Sequence, residues 1–426
     1  MNPKGNSWAG IRIPFFYGWV IVGVVFVTEF LAAGVGTVTV PLFFKPISEE
    51  MGWSLTQLTG SITAQAIVGM FVVPVVGILL DRLGARPVMI FGAFTAGVGL
   101  LLLTQVQEPW HFWVLYAVVG ALGLHGMGQF TGPVVVAKWF IRRRGRAVAI
   151  ITSGTTIGGL VIAPILGLLM TSQGWREAWG IMGIIILVVM VPILAMFIRR
   201  QPESIGLRPD GDVIDADSLS KENSNRSQEA VWTLRQALHT RAIWILILSM
   251  ELVSLSATVV VVHTVPFLSF EQGMSTQAVS IVLTLRLFSA TLSRFFWGFL
   301  MERIPVHICL SVGFFFRAVG PISLALFPYP INVGILLISN IPGGAMAVLQ
   351  PLAFANYYGR TFFGTIQGTI RPILAAPQLV GPLLIAFIFD MTGTFFFGFL
   401  LASILGFIAS GVALLARPPI HPDSNG

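Results

Sequence analysis

The sequence has few charged residues and almost no cysteine. Only 10% of its 426 residues are charged and 55% are hydrophobic, which excludes an ordinary soluble domain. The single cysteine, Cys309, excludes an intramolecular disulfide and a thiolate metal cluster, and we interpret it as a packing residue. The sequence also lacks a nucleotide-binding loop, a metal-ligand cluster and a nucleophile with a partner base. These absences argue against an enzyme, an ATP-driven pump and a bound cofactor.

The hydrophobic residues form continuous runs of about 20 residues or more, the length that a helix needs to cross a bilayer. They do not alternate with polar residues, as the strands of a membrane β-barrel would. The pattern predicts an all-α integral membrane protein with twelve transmembrane helices. The predicted spans are residues 17–44, 55–80, 88–106, 110–136, 147–170, 179–198, 242–270, 278–300, 308–326, 331–353, 363–389 and 395–415. The first has no small-residue cleavage site and is predicted to be a true span.

Lysine and arginine are concentrated on one side of the predicted membrane. Most of the 25 lie in segments on the same side as the N-terminus, and such residues accumulate in cytoplasmic loops, so both termini are predicted to be cytoplasmic. This bias accounts for the net charge of +7, which is therefore not interpreted as nucleic-acid binding.

The one long polar interruption divides the chain into two sets of six spans. The predicted domains are an N-terminal six-helix bundle (1–198), a cytoplasmic linker ending in a short amphipathic helix (199–241), a C-terminal six-helix bundle (242–416) and a cytoplasmic tail (417–426). Equal halves of this kind are typical of transporters that bind substrate near the membrane midplane between the two bundles.

The loop after the second span has the pattern Gly-x-x-x-Asp-Arg-x-Gly-x-Arg, formed by Gly77, Asp81, Arg82, Gly84 and Arg86. The first glycine allows close helix approach, Asp81 can cap a helix N-terminus or pair with a basic residue, and the arginines can hold the loop at the interface. In this loop the chain resembles the major facilitator superfamily of secondary transporters. We assign the motif to gating and folding rather than to substrate contact.

Further stretches narrow the resemblance to one branch of that superfamily. They are FYGWV (16–20), FFKPISEEMGWS (43–54), KWFIRRRGRAVAI (138–150), PESIGLRPDGD (202–212), HTVPFLSFEQGMS (263–275) and YYGRTFFGTIQG (357–368). Together they look similar to the branch that contains the monocarboxylate porters and the oxalate:formate antiporters. The resemblance implies transport of small organic acids, often with a proton.

Two arginines, Arg286 and Arg294, lie inside the eighth predicted span, where each would cost roughly 2.5 to 3.5 kcal/mol at the centre of a lipid-facing helix. Their eight-residue spacing places both on one side of the helix, so both are expected to line the same cavity. The resemblance implies that Arg294, followed four residues later by Gly298, binds the substrate carboxylate. Alternatively, the Arg294 side chain extends to the membrane interface.

The chain departs from the monocarboxylate porters at three positions. Ala290 replaces an acidic residue of the animal members, Phe295 replaces the usual proline, and Val38 stands where animal members have a lysine. Proton coupling must therefore use other groups, or be absent.

Inside the predicted spans, positive charge exceeds negative charge. The arginines are Arg286, Arg294, Arg317 and Arg371, and the acids are Glu29 and Glu251. A water-filled pocket with surplus guanidinium groups selects an anion, because arginine can hold a carboxylate through two charge-assisted bonds. Arg371 either clamps a dicarboxylate together with the span 8 arginines or anchors the inner end of its span. We interpret Arg317 as a structural or interfacial residue, because its span is peripheral in the fold that the resemblance implies.

The remaining candidates are polar side chains inside spans. Glu29 is the candidate proton carrier, since a carboxyl group in a low-dielectric environment can change its protonation state near neutral pH, or it permanently neutralises a basic group. Glu251 has the same two interpretations. His263 either contacts substrate or holds a backbone carbonyl. His125 and Gln129, four residues apart, either face the cavity or join neighbouring helices.

The sequence as a whole predicts a secondary active transporter of small monocarboxylates such as lactate or pyruvate, working by proton symport and alternating access. The alternatives are exchange of carboxylates, of the oxalate:formate or dicarboxylate type, and a non-transporting membrane receptor. The predicted partners are a small carboxylate, a proton and the lipid bilayer, with no nucleic acid, metal or cofactor. The chain is expected to act as a monomer in the inner or plasma membrane.

Overall fold

The protein is described by a computed structural model that covers residues 7–8, 11–12, 15–36, 39–211, 231–343 and 346–421. Nearly all of the described regular structure is helical, apart from a two-residue antiparallel pair of strands, β1 (Ser7–Trp8) and β2 (Ile11–Arg12). The helices are α1 Gly18–Ala33, α2 Pro41–Met51, α3 Leu55–Leu83, α4 Ala85–Leu103, α5 Pro109–Val118, α6 Thr131–Trp139, α7 Arg144–Gln173, α8 Trp175–Ile185, α9 Val191–Phe197, α10 Leu234–His239, α11 Arg241–Pro266, α12 Thr276–Leu300, α13 Val306–Leu326, α14 Ile331–Gly343, α15 Met346–Tyr358, α16 Phe363–Thr392 and α17 Phe396–Leu415.

Three of the long helical runs contain wider turns with π-helical hydrogen bonding. These turns are Val119–Gln129 after α5, Ile186–Met190 after α8 and Phe267–Glu271 after α11. The first one is rich in glycine and ends where the Phe130 N–H donates to the His125 carbonyl five residues earlier, at 3.4 Å. Wider turns of this kind occur frequently at functional sites in helices.

Ten of the described helical runs are long and apolar enough to cross a membrane. The structure divides the predicted first span, 17–44, into two helices: α1 ends at Ala33, and α2 begins at Pro41 and runs on to Met51. Proline favours a helix start, because its missing N–H would have no partner in the first turn. The length of the apolar run concealed this division, since both helices are apolar at their facing ends.

Side-chain caps fix several helix starts. Ser54 and Gln57 form reciprocal hydrogen bonds of 2.8 and 3.2 Å at the start of α3. Thr233 and Gln236 form the same arrangement at α10, the short helix that the sequence predicts at the end of the linker.

The chain divides into two compact units. The first contains residues 1–232 and 358–372, and the second contains residues 233–357 and 373–426. In the first unit, α1 packs against α7, and α4 packs against the π-helical segment Val119–Gln129. In the second unit, α13 packs against α14 and α17. The first residues of α16 thus belong to the same unit as the N-terminal helices.

Candidate functional site

In the first unit, Glu29 is a buried carboxylate on α1, with only 4% of its surface exposed. The Thr155 hydroxyl donates a hydrogen bond of 2.8 Å to Glu29 Oε2. Glycines leave room for the carboxylate: a Cβ atom at Gly128 or Gly132 would lie 3.3 or 3.4 Å from Glu29 Oε1, and one at Gly154 would lie 3.1 Å from Glu29 Cβ. The carboxylate of Glu29 is therefore held in the interior of the unit by α7 and by the helical run that contains His125.

His125, Gln129 and Arg371 lie in the same unit as Glu29. His125 Nδ1 is 2.7 Å from the Gly120 carbonyl oxygen. Because a carbonyl oxygen can only accept, Nδ1 is protonated and donates a hydrogen bond to it. Arg371, on α16, is partly buried and close enough to His125 to interact with it electrostatically. A Cβ atom at Gly36 would lie 3.4 Å from the Gln129 amide nitrogen, which places that amide beside the end of α1.

In the second unit, Arg286 and Arg317 line one small cavity. Its volume is about 20 Å³, room for roughly one water molecule, and its lining comes from α11, α12, α13 and α14. Arg317 Nη1 donates a hydrogen bond of 2.9 Å to the Gly343 carbonyl at the end of α14. Asn340 Nδ2 donates to the backbone carbonyl of Arg286 at 3.1 Å.

Arg294 is not part of the lining of that cavity. It is partly buried on α12, and eight helical residues place it about 12 Å along the axis from Arg286. The structure thus brings Arg286 together with Arg317 of the neighbouring helix, a residue that the sequence analysis set aside as structural or interfacial.

The other two candidates of the second unit lie on α11. His263 has 7% of its surface exposed, and its ring centroid is 5.6 Å from that of Phe395. Glu251 is partly buried, and its Oε1 atom has no hydrogen-bond partner among the described residues.

Asp81 of the loop motif makes two kinds of contact within the first unit. Its Oδ1 atom accepts a hydrogen bond of 2.8 Å from Lys138 Nζ, in an ion pair whose side chains are 5% and 11% exposed. Its Oδ2 atom accepts from the Thr365 N–H at 2.7 Å and from the Thr365 hydroxyl at 2.9 Å. Asp81 therefore pairs with a base and also caps the first turn of α16, where an anion is favoured by the helix dipole.

The other motif residues surround this contact. A Cβ atom at Gly77 would lie 2.9 Å from the Gly364 carbonyl carbon, so only glycine allows this approach of α3 to α16. Gly84 has a φ of 90° and links α3 to α4. Arg82 and Arg86 are exposed.

Asp210 is a polar residue with well-defined contacts that the sequence analysis did not single out. It is 9% exposed, and its carboxylate accepts hydrogen bonds from three consecutive backbone N–H groups. These belong to Ile141 at 3.0 Å, Arg142 at 2.9 Å and Arg143 at 3.1 Å, immediately before α7. The signal was present in the Pro-Asp-Gly sequence, a turn pattern in which aspartate tolerates the left-handed φ of 59° seen here.

Comparison with known proteins agrees with this architecture. The family profile of the Major Facilitator Superfamily matches residues 25–376. The oxalate:formate antiporter of Oxalobacter formigenes is 26% identical over 88% of this chain and 86% of its own. Monocarboxylate transporter 11 of Mus musculus is 26% identical over 93% of this chain and 86% of its own. The branch that the sequence resembles is thereby supported.

Solved structures share the fold. The crystal structure of the transporter FucP in the outward conformation has a TM-score of 0.69 at 14% identity, covering 95% of this chain and all of the other. The human organic anion transporter MFSD10 has a TM-score of 0.64 at 17% identity, covering 94% of this chain and 98% of the other. With a family match over most of its length and relatives that are transporters and not enzymes, this chain belongs to the major facilitator superfamily of multi-pass membrane transporters.

Proposed function

We propose that this transporter carries small monocarboxylates of the lactate or pyruvate type, by proton symport and alternating access. The observation that carries the proposal is the surplus of arginine inside membrane helices: Arg286 and Arg294 on α12, Arg317 on α13 and Arg371 on α16. Guanidinium groups at this depth are costly unless they meet an anion or another partner, or line a water-filled path. The names of two relatives, an oxalate:formate antiporter and a monocarboxylate transporter, agree with a carboxylate as that anion.

In this proposal the substrate carboxylate is bound by Arg294, with Arg286 and Arg371 as further cationic groups. His263, His125 and Gln129 are proposed to supply hydrogen bonds to the substrate. The remaining features of the proposal are twelve spans, two cytoplasmic termini and a functional monomer.

Glu29 is the proposed proton carrier, with Glu251 as the second candidate. A carboxyl that is 4% exposed has little water to stabilise its charge, so a bound proton would neutralise the group within the apolar interior and could be released where water reaches it. The loop motif is also proposed to act in gating. Its residues are Gly77, Asp81, Arg82, Gly84 and Arg86.

Exchange of one carboxylate for another is the alternative. It is favoured by the presence of several separate arginines, which could bind the two charges of a dicarboxylate.

Uptake into proteoliposomes tests the proposal. Labelled lactate, pyruvate, formate and oxalate are supplied with and without an inward proton gradient, to wild type, Arg294→Ala and Glu29→Gln. We expect wild type to take up monocarboxylates in response to the gradient. Uptake by Arg294→Ala should be at least tenfold lower, because the substrate carboxylate loses its charge-assisted bonds. Uptake by Glu29→Gln should not depend on the gradient.

Two exposed charges serve as matched controls. Arg303→Ala and Glu177→Gln remove the same charges at exposed positions and should transport like wild type. Uptake that ignores the gradient but requires an internal carboxylate would establish exchange instead of symport. Unimpaired uptake by Arg294→Ala would contradict the assignment of that residue.

A further inference from the structure

The cavity shared by Arg286 and Arg317 contains two positive charges from neighbouring helices. The two guanidinium groups are close enough for the charge of Arg286 to act on Arg317. None of the described residues that line the cavity is acidic; the other polar ones are Ser339 and Asn340. Like charges that face each other in a protein interior repel, and this repulsion is relieved when an anion binds between them.

The hydrogen bonds of the two arginines leave donors available. Arg317 uses Nη1 on the Gly343 carbonyl, while its buried Nε has no partner among the described residues. For the Arg286 guanidinium, no hydrogen bond or ion pair to the described residues is found; Asn340 donates to the backbone carbonyl of Arg286, not to its side chain. A buried donor without a partner costs free energy, which a bound acceptor would recover.

The neighbouring groups are already satisfied within the protein. The Ser339 hydroxyl donates to the Leu336 carbonyl at 3.1 Å, and Asn340 Nδ2 donates to Arg286 as described. Most of the free donors, and both positive charges, therefore come from the two guanidinium groups. Since the cavity holds roughly one water molecule, its occupant must be small.

We propose that Arg286 and Arg317 form a binding site for one small anionic group, either a carboxylate the size of formate or a chloride ion. Binding of the anion itself is independent of transport. Its identification with the carboxylate of the transported acid rests on the proposed function, and would make this cavity a second site for that carboxylate, separate from Arg294.

Anion-dependent thermal unfolding of the full-length protein in nanodiscs tests the site. Sodium formate and sodium chloride are compared with sodium gluconate, whose anion is too large for the cavity, at constant ionic strength. We expect the unfolding midpoint of wild type to rise by about 3 °C at a formate concentration one hundred times the dissociation constant, with no rise in gluconate. The midpoint as a function of concentration gives that dissociation constant.

The variants separate an anion site from a structural role of Arg317. Arg317→Gln keeps an amide donor for the Gly343 carbonyl but removes the charge, whereas Arg317→Lys keeps the charge. We expect Arg317→Gln and Arg286→Gln to raise the dissociation constant at least tenfold, Arg317→Lys to retain most of the binding, and Arg303→Gln, at an exposed position of the same unit, to bind like wild type. Equal anion response in Arg317→Gln and wild type would overturn the proposal.

Two comparisons identify the anion and distinguish failure of this inference from failure of the proposed function. A response to formate but not to chloride assigns the site to a carboxylate, a response to both assigns it to small anions generally, and a response to neither rejects it. Wild-type uptake in proteoliposomes is measured on the same preparations. Anion binding without carboxylate uptake would contradict the proposed function alone, and carboxylate uptake without anion binding would contradict this inference alone.

Discussion

At the scale of single residues, the contacts of Asp210 show how one carboxylate organises a loop. Three consecutive N–H groups, those of residues 141–143, point at it immediately before the 30-residue helix α7. These groups would otherwise lack partners, since the first N–H groups of a helix and of the turn before it have no acceptor in the helix. The negative charge also lies at the positive end of the α7 dipole.

We therefore expect Asp210→Ala to lower the free energy of unfolding by about 2 kcal/mol, because hydrogen bonds to a charged group contribute about 1.5 to 3 kcal/mol. Thermal unfolding in detergent measures this loss, and amide hydrogen exchange at residues 141–143 should become faster. Asp210→Asn is the matched control: it keeps one side-chain oxygen and tolerates the left-handed backbone, so its loss should be smaller. Equal stability of Asp210→Ala and wild type would show that water replaces the carboxylate without cost.

The arginines show what single-residue reasoning could and could not predict. Helical spacing predicts that Arg286 and Arg294 lie on one side of a span, but it does not say which of the two reaches a given cavity, and only Arg286 is in the lining of the cavity described above. The neighbour of Arg286 proves to be Arg317, which lies 31 positions later and is brought near by the packing of α12, α13 and α14 around one cavity. The proximity of these two arginines depends on which helices are adjacent, and the spacing of residues along one helix does not show helix adjacency.

At the scale of helices, the contact between α1 and α7 depends on glycine. A Cβ atom at Gly158 would lie 2.8 Å from Phe30 Cα and 2.9 Å from its carbonyl carbon, and one at Gly154 would lie 2.7 Å from the Phe26 carbonyl oxygen. These neighbours are backbone atoms of α1, which cannot move aside as a side chain does. Gly154 and Gly158 are four residues apart, the small-x-x-x-small spacing that predicts a close helix pair in membrane bundles.

Gly158→Ala should consequently push α1 and α7 apart and lower the free energy of unfolding by about 1 to 3 kcal/mol, the cost of overpacking. The control lies on the same helix: a Cβ atom at Gly167 would meet nothing within 4 Å. Gly167→Ala should be neutral or stabilising by up to about 1 kcal/mol, because alanine is the better helix former. Thermal unfolding of the two variants side by side checks the difference, and equal midpoints would mean that the helix pair adapts.

The helices themselves were predictable from apolar runs, whereas their breaks were not. The run 17–44 is mostly apolar and predicts one helix, yet α1 stops at Ala33 and α2 begins at Pro41. Gly34 and Gly36 follow α1, and glycine disfavours a continuing helix because it loses the most backbone freedom on folding. Predicting a span from the length of an apolar run does not register such local effects. A proline at position 41 does not resolve the question, because proline is compatible both with a helix start and with a kink inside a helix.

At the scale of the whole chain, the contacts of Asp81 join segments that are far apart in the sequence. Lys138 and Thr365 meet at one carboxylate, 57 and 284 positions away from it. Lys138 also uses its carbonyl to accept a hydrogen bond of 3.1 Å from Arg360, whose guanidinium pairs with Glu203 at 2.6 Å. The segment 358–372 is thereby attached to the N-terminal helices within the first unit.

Removing the charge of Asp81 should loosen this attachment. In Asp81→Asn the buried Lys138 keeps its charge without an anionic partner, a change that costs up to about 3 to 5 kcal/mol, and the first turn of α16 loses the favourable anion at its N-terminus. We expect amide hydrogen exchange at residues 363–367 to become at least tenfold faster, together with a lower unfolding midpoint. Arg86→Gln changes an exposed residue of the same motif and should leave both unchanged. If Asp81→Asn exchanges at the wild-type rate, then the backbone contact of Gly77 with Gly364 holds the segment by itself, and the charge contributes nothing to the attachment.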